Sequence, residues 1–566
     1  MTRTSPIVSF GLYALNVKQD STPSCADVQA FSKVNDLKTD NASALPYASY
    51  EDNFWLLDGG YKFLPANQAT VHVGLMSESM SDAAGAFSVP PVLTVDFSTE
   101  HDSDGLTLKF SQYSGDWASS VTVDYYDDTA SLIRSDTYTP TSWQLVTGVA
   151  VNGFKQIVIT FSGTNKPYRY LRLTGIDYGT LIEFTGSAIR RASVVEEIDP
   201  MSGEARYNTL DLKLYSADGD FSIINPSGIY QYLQERQPIA IHETVGNLTV
   251  FIGQFYLETW ENQSDTTIEF NAIDLLGVAD TLPYLGGFWT GTAVETVVDG
   301  ILTPLNIPYE LDATLYGTLI KGWLPVCTVR EALQQIAVAV GAYLDCSRSN
   351  AIKIYTAPIA AVTTPSTTIT KAQKGLSQKL GLKPLVTGVE VTAHNYVALS
   401  TTVTLYSGTL AAGTYTITWD DGPKHTLSAS GATVASSGPN HAVLTVASPG
   451  TVSLTGRTYR DTTRTFSEYT AGLAAGTKPN VLKIANATLV NLDNGAAVCS
   501  RIYDYNQQRL VQKLRMYAPT NVQIGDVVLV DTLYDQQIRA MVERASIDLT
   551  GGMVADLELT GVVESA

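Results

Sequence analysis

The chain has 566 residues, 44% of them hydrophobic, enough for about three or four domains with cores of their own. Only 16% is charged, below the usual ~25%, so the surface leans on Ser, Thr, Asn, Gln and the 30 tyrosines. A net charge of −20 excludes a nucleic-acid-coating surface, which needs a stripe of Lys and Arg; solubility accounts for it, and so does a smooth acidic channel that DNA passes without sticking.

Residues 1–40 hold one clear strand (7–13), a turn-prone stretch around Pro23 and a second short strand (28–32). That is too little for a domain. From 41 to 175 strand signals recur between polar turns: 89–97, 106–110, 121–126, 143–149, 154–161 and 168–176. Short strands at this spacing predict an antiparallel β-sandwich. Tyr113, Trp117 and Trp143 fall in or near its turns, where an aromatic face can stack on a sugar ring. The alternative is that these rings close the core, as Trp55 and Phe110 are expected to do. Asp102, Asp104, Asp127 and Asp128 are near turns too. They complete no calcium-loop pattern and read as solvated turn residues, so no metal is expected.

Between 176 and 290 the strands resume. Residues 210–215 alternate strictly, so one face is buried and one wet. A turn follows at 217–221, then a short helical stretch at 229–233 and strands at 239–243, 248–260 and 267–272. Asp274-Leu275-Leu276 closes the segment. Helices enter at 291–385. Thr292 with Glu295, and Thr328 with Glu331, both read as capping boxes. Val294, Val297, Val298 and Ile301 share one face of the first helix, and Pro304 stops it. The second carries Val329, Leu333, Ile336, Ala337 and Val340 and ends at Gly341. A hairpin over 343–355 completes a small α+β unit.

Residues 386–480 are β again, with a small β module at 396–450 read as inserted. Residues 481–566 hold one helix (493–505), with Ala497, Val498, Ile502 and Tyr505 on a face. The chain closes on strands. Gly525-Asp526 turns into Val527–Val530, apolar on both faces and so buried on both. Asp548 to Gly552 is a turn that includes Gly551. In the last strand Val554, Leu557 and Leu559 are apolar and Asp556 and Glu558 polar. A small closed sheet is the simplest reading.

No catalytic motif is found. His72, His101, His242, His394, His425 and His441 make no metal or triad spacing, and neither a nucleophile elbow nor a P-loop occurs. No enzyme activity and no cofactor are expected. Cys25, Cys327, Cys346 and Cys499 are too scattered for a ligand set and read as free thiols. The first twenty residues lack the pattern of a signal peptide, and no apolar run is long enough to span a membrane.

"IGDVVLV" followed by "DLTGGMVADLELTG" resembles the C-terminal end of bacteriophage tail hub proteins of the tail tip or baseplate. "LDLKLYSADGDFSIINPSGIYQYLQERQPIAIHE", "FIGQFYLETWE" and "IEFNAIDLLG" are similar to the hub barrel of the same family. Residues 52–59, 90–97, 105–110 and 168–173 resemble the galactose-binding, discoidin-type jelly roll. The implied fold class is mainly β with a small α+β part: hub β-barrels, an inserted jelly-roll sandwich and a small inserted β module. The implied domains are 1–40 with 176–290 (first barrel), 41–175 (sandwich), 291–385 (α+β), 386–480 with the module at 396–450, and 481–566 (helix and closing strands).

The resemblance implies a structural protein of the virion tail tip, made in the host cytoplasm. It implies a homotrimeric ring that joins a distal tail protein and other tail-tip or fibre proteins. The tape-measure protein and then DNA would pass its lumen, and the sandwich would meet a host cell-surface glycan. Gly525, Asp526, Gly551 and Gly552 would be structural turns of the hub. The alternatives are a carbohydrate-binding adhesin or glycan-degrading multidomain protein, and the hub of a phage-tail-like bacteriocin or gene-transfer particle.

Overall fold

The computed structural model describes residues 4–38, 73–111, 115–216, 219, 222, 233–246, 248–517, 519–532, 536–550 and 552–564. Residues 52–59 with Trp55, His72, Tyr113, residues 229–232 of the expected helical stretch, and Gly551 lie outside these. The chain is mainly β and forms two compact units. One comprises Met1–Val8, Phe184–Asn225 and Pro238–Ala566, the other Ser9–Glu183 with Pro226–Gln237.

The second unit is a β-sandwich. One layer has five antiparallel strands in the order Thr22–Cys25, Val92–Ser103, Val151–Thr164, Ala118–Tyr126 and Leu132–Tyr138. In the other, Tyr170–Thr185 pairs with Leu75–Met80 and with Leu106–Phe110, and Gln144–Val146 pairs with Leu106–Phe110. Period-two alternation builds the core. Val121, Val123 and Tyr125 point inward from one layer, Leu106, Leu108 and Phe110 from the other. Phe97, Phe154 and Tyr178 meet edge to face at 5.3–5.4 Å.

The start of this unit differs from the sequence reading. Thr22–Cys25 is a strand, not a turn, because Pro23 sits on the sheet edge where a missing N–H costs nothing. Residues 28–32 are not a strand. Gln29 N donates to Met76 O and Lys33 N to Gly74 O, which takes up the backbone locally. A short helix, α1 (Leu15–Asp20), precedes Thr22–Cys25 and places Val17 in the sandwich core.

The first unit is built on a continuous antiparallel run of nine strands. Their order is Lys374–Leu382, Leu510–Tyr517, Val554–Val563, Gln537–Asp548, Ile189–Glu197, Thr209–Tyr215, Thr267–Ile273, Leu248–Ser264 and Pro238–Val245. Val527–Asp531 adds to Gln537–Asp548, and Thr367–Ile369 runs parallel beside it. Val527, Val528 and Val530 are buried, and Leu529 half-buried. In the last strand Ala555, rather than Val554, completes the buried row with Leu557 and Leu559.

Among the described residues, four α-helices belong to this unit. Asp274 caps α2 (Leu275–Ala279), accepting from Gly277 N at 3.0 Å. In α3 (Val294–Leu302) the expected face is buried, but the expected capping box is absent. Thr292 lies in the strand Gly287–Ala293, paired with Ile320, so the helix begins two residues later. Glu295 instead accepts from Gly317 N at 3.0 Å. In α4 (Val329–Val340) the box is complete: Glu331 N donates to Thr328 Oγ1 at 3.2 Å and Thr328 N to Glu331 Oε2 at 2.9 Å. Gly341 ends it at φ +81°.

α5 (Gly495–Gln507) buries Gly495, Val498, Cys499 and Ile502, an i, i+3, i+4, i+7 stripe. That stripe leaves Ala497 exposed. The hairpin pairs Ala342–Asp345 with Ile352–Thr356, and Tyr309–Leu311 joins it in parallel.

Within the same unit Gly388–Ala393 pairs directly with Arg464–Tyr469, so chain that leaves at Ala393 returns opposite it at Arg464. What lies between is a small sandwich. Tyr396–Leu410, Gly450–Asp461 and Lys424–Ser430 form one sheet, Gly413–Thr418, His441–Val446 and Thr433–Ser437 the other. Its core is Trp419, Ala442, Leu444, Val446, Val452 and Leu454.

Candidate ligand-binding end of the sandwich

The sequence candidates lead to one end of the large sandwich. Ala118 pairs with Thr164, and Tyr170 with Met80, so the segments 81–87, 115–117 and 163–169 come together there. Asn165 ties two of them. Its Oδ1 accepts from Trp117 N at 3.0 Å, its Nδ2 donates to Gly115 O at 3.1 Å, and its own N–H donates to Trp117 O at 2.9 Å. Ser81 ties the third, accepting from Thr164 Oγ1 at 2.7 Å and from Arg169 N at 3.0 Å. Gly85 must be glycine: φ is +78°, and a Cβ would sit 2.7 Å from Thr164 O.

Around this frame lie Asp116, Lys166, Arg169 and Arg172. The buried Asp116 carboxylate is 2.8 Å from Lys166 Nζ, 3.6 Å from Arg169 Nε and 3.8 Å from Arg172 Nη1. A buried carboxylate among cations fixes the loops by charge as well as by hydrogen bonds. Tyr168 is 38% exposed and held at φ +54°, its N–H bonded to Asp82 O. A bulky residue in the left-handed region is uncommon and strained.

Trp117 is half-buried and packs on the sandwich core with part of its ring. Trp143 is also half-buried, and its carbonyl accepts from Phe110 N at 2.6 Å. Phe110 is fully buried in the core, and Ser111 beside it bridges Asp116. Trp143, bonded to Phe110, and Trp117, next to Asp116, therefore flank the two ends of that bridge. Sequence reasoning passed over Asp116, Asn165 and Tyr168. The Asn-Lys-Pro-Tyr run at 165–168 was the available turn signal.

The acidic turns are self-contained. Asp127 Oδ1 accepts from Thr129 Oγ1 at 2.7 Å, and from Ser131 N at 2.9 Å and Thr129 N at 2.8 Å, which holds its carboxyl below the usual range. Asp102 accepts from Gly153 N at 2.8 Å. Among the described residues no cluster of three or more His, Cys, Asp or Glu is placed to hold a metal.

The turn at Gly525 and Asp526 lies in the other unit. Gly525 has φ +84°, and a Cβ there would come 2.2 Å from Tyr343 Oη. Gly525 N donates to Val542 O and Val542 N to Asp526 O, both at 2.9 Å. The Asp526 carboxylate accepts from Gln523 N at 2.9 Å, and burial raises its pKa. Gly552 has φ +143°.

These features define a multidomain, mainly β protein with a loop-built, aromatic-lined end on one sandwich. No protein-family model matches the sequence, and no curated protein does. Solved structures with a likeness to it include the tail protein from Neisseria meningitidis MC58, at 10% identity over 67% of this chain and 93% of that one, TM-score 0.40. Another is the 43 kDa tail protein of prophage MuSo2 from Shewanella oneidensis, at 9% identity over 67% and 94%, TM-score 0.38. A third is the family 32 carbohydrate-binding module of C. perfringens NanJ in complex with galactose, at 7% identity over 31% and 99%, TM-score 0.19.

Proposed function

We propose that this chain is the tail-tip or baseplate hub of a phage tail. Three copies would form a ring that closes the tail tube and gates the passage of tape-measure protein and DNA. The ring would join a distal tail protein above and other tail-tip or fibre proteins around it. The observation that supports this reading most is the nine-strand run. The two passages that carry the hub resemblance, one before residue 290 and one after 510, belong to a single sheet, joined where Ser193 to Glu197 pair with Asp548 to Arg544. A hub built from distant segments needs that joint. A string of independent adhesin domains does not.

The large sandwich would serve attachment, with a host cell-surface glycan at the end bordered by Trp117 and Trp143. Stacking of a sugar ring on a half-exposed indole is the contact expected there.

Gold-labelled antibody microscopy on particles released from the source culture tests the reading. Label at one end of tails is the expected result. Label confined to cell envelopes, with tails unmarked, would replace the hub by a glycan-binding adhesin.

A further inference from the structure

The nine-strand run ends on Lys374–Leu382, which among the described residues pairs only with Leu510–Tyr517. Its outer side is an open sheet edge. The buried row on the inner face of the sheet runs out to that edge. Val542 stands opposite Leu559, Leu559 opposite Gln512, and Gln512 opposite Leu380. The first three are buried, but Leu380 is 54% exposed, and Leu382, two residues on, is 67% exposed. The row continues one strand further than the cover over it.

The other face of the edge strand is basic. Lys379 alternates with Leu380 and stands exposed opposite Lys513. Lys371, just before the strand, is exposed as well. Lys513, Arg515 and Lys383 have carboxylates of their own, in Glu558, Asp556 and Glu543. The side chains of Lys371 and Lys379 make no ion pair with any described residue. From Cys346 to Val389, and again from Tyr505 to Gly525, the sequence has no Asp or Glu, in a chain whose net charge is −20.

An edge that joins exposed apolar side chains to unpaired backbone groups is a template for another strand. Lysine guards such an edge against its like. Two copies of this strand laid edge to edge would bring their lysines together. The guard does not act against acid. A segment in which apolar residues alternate with Asp or Glu would extend the sheet, cover Leu380 and Leu382 with one face and meet Lys379 with the other.

We propose that this edge is completed by such a segment, an acidic amphipathic strand of a different protein. The proposal goes beyond the hub reading and does not depend on it.

The test uses the full chain and a labelled peptide as long as the edge strand, nine residues, in which Val alternates with Glu. Binding is followed by fluorescence anisotropy and the fold by thermal melting. The acidic peptide should bind at low salt and be weakened by added salt. The same peptide with Lys for Glu, or N-methylated at every second amide in either register, should bind at least about tenfold more weakly. Lys379→Glu and Leu380→Asp alter exposed side chains, so both should melt like wild type and weaken the acidic peptide about tenfold. Should either misfold, Lys379→Gln should weaken it by a smaller factor. Failure of the acidic peptide to bind, equal binding of the three peptides, or folded variants that bind like wild type overturns the proposal.

Sedimentation of the chain alone tests the other occupant. Any self-association should be the same in wild type and Leu380→Asp. Self-association that Leu380→Asp abolishes would give the edge to a second copy and overturn the acidic partner.

Discussion

Glu243 is the residue the core accommodates least easily. It follows Ile239 and Ile241 on the inward face of Pro238–Val245 and is fully buried. Burial pushes its carboxyl up to about 7, against a smaller pull from the Thr4 hydroxyl. A carboxyl whose folded pKa is raised leaves its full stability below the unfolded value, about 4.5, and loses it as pH climbs through 7. Glu243→Gln should therefore match wild type at pH 4 and gain on the order of 2 kcal/mol at pH 8. Chemical denaturation at the two pH values checks this; an equal effect at both would rule out the carboxyl as the cause. Asn440 is the opposite case, a fully buried side chain with every bond made. It donates to Leu285 O at 2.9 Å and Leu324 O at 2.8 Å, and accepts from Trp323 Nε1 at 2.6 Å. Asn440→Ala strands all three groups and should cost about 3 kcal/mol. A denaturation midpoint within error of wild type would contradict that.

At the scale of elements, two helix starts with the same sequence signal came out differently. Thr328 and Glu331 form their box, while Thr292 is taken by a strand. Thr328→Ala should cost about 1 kcal/mol and Thr292→Ala less than about 0.5, read from paired unfolding curves. Equal losses would mean that the cap bonds of Thr328 carry no weight of their own. The motif is legible in sequence, but whether it caps depends on competition for the threonine by a partner strand 28 residues away. The same limit explains Thr22–Cys25 and residues 28–32. Local composition marked one as turn and the other as strand, and tertiary pairing reversed both. Where periodicity is long and regular, as in Val294–Ile301 and Thr209–Tyr215, the sequence reading and the structure agree.

For the whole molecule, the compact unit Ser9–Glu183 decides how attachment is tested. Its core takes Val17, Leu37, Leu173, Ile176 and Tyr178 as well as residues between them. A deletion of 45–172, inside the span 41–175 read as the sandwich from sequence, would strand those five side chains. A point change is cleaner. Particles with Trp117→Ala should adsorb to host cells about tenfold more slowly or worse, the weight expected of an aromatic anchor. The purified variant must melt as wild type for the result to count. Normal adsorption would remove Trp117 from the ligand contact.

The sequence by itself determined the β-rich class, the alternating strands, the α3 and α4 faces, the Gly341 stop and the places of Trp117 and Trp143 beside sandwich turns. These depend on neighbours within a helical turn or a strand, where periodicity and turn chemistry act directly. Only the tertiary structure decided that Ile189–Glu197 pairs with Gln537–Asp548, that Leu380 continues the row of Gln512, Leu559 and Val542, and that Asp116 and Tyr168 join Trp117 at one end. Each of these relations spans tens to hundreds of residues. No local pattern encodes a strand's partner, which is set by the burial and hydrogen bonding of the folded chain as a whole.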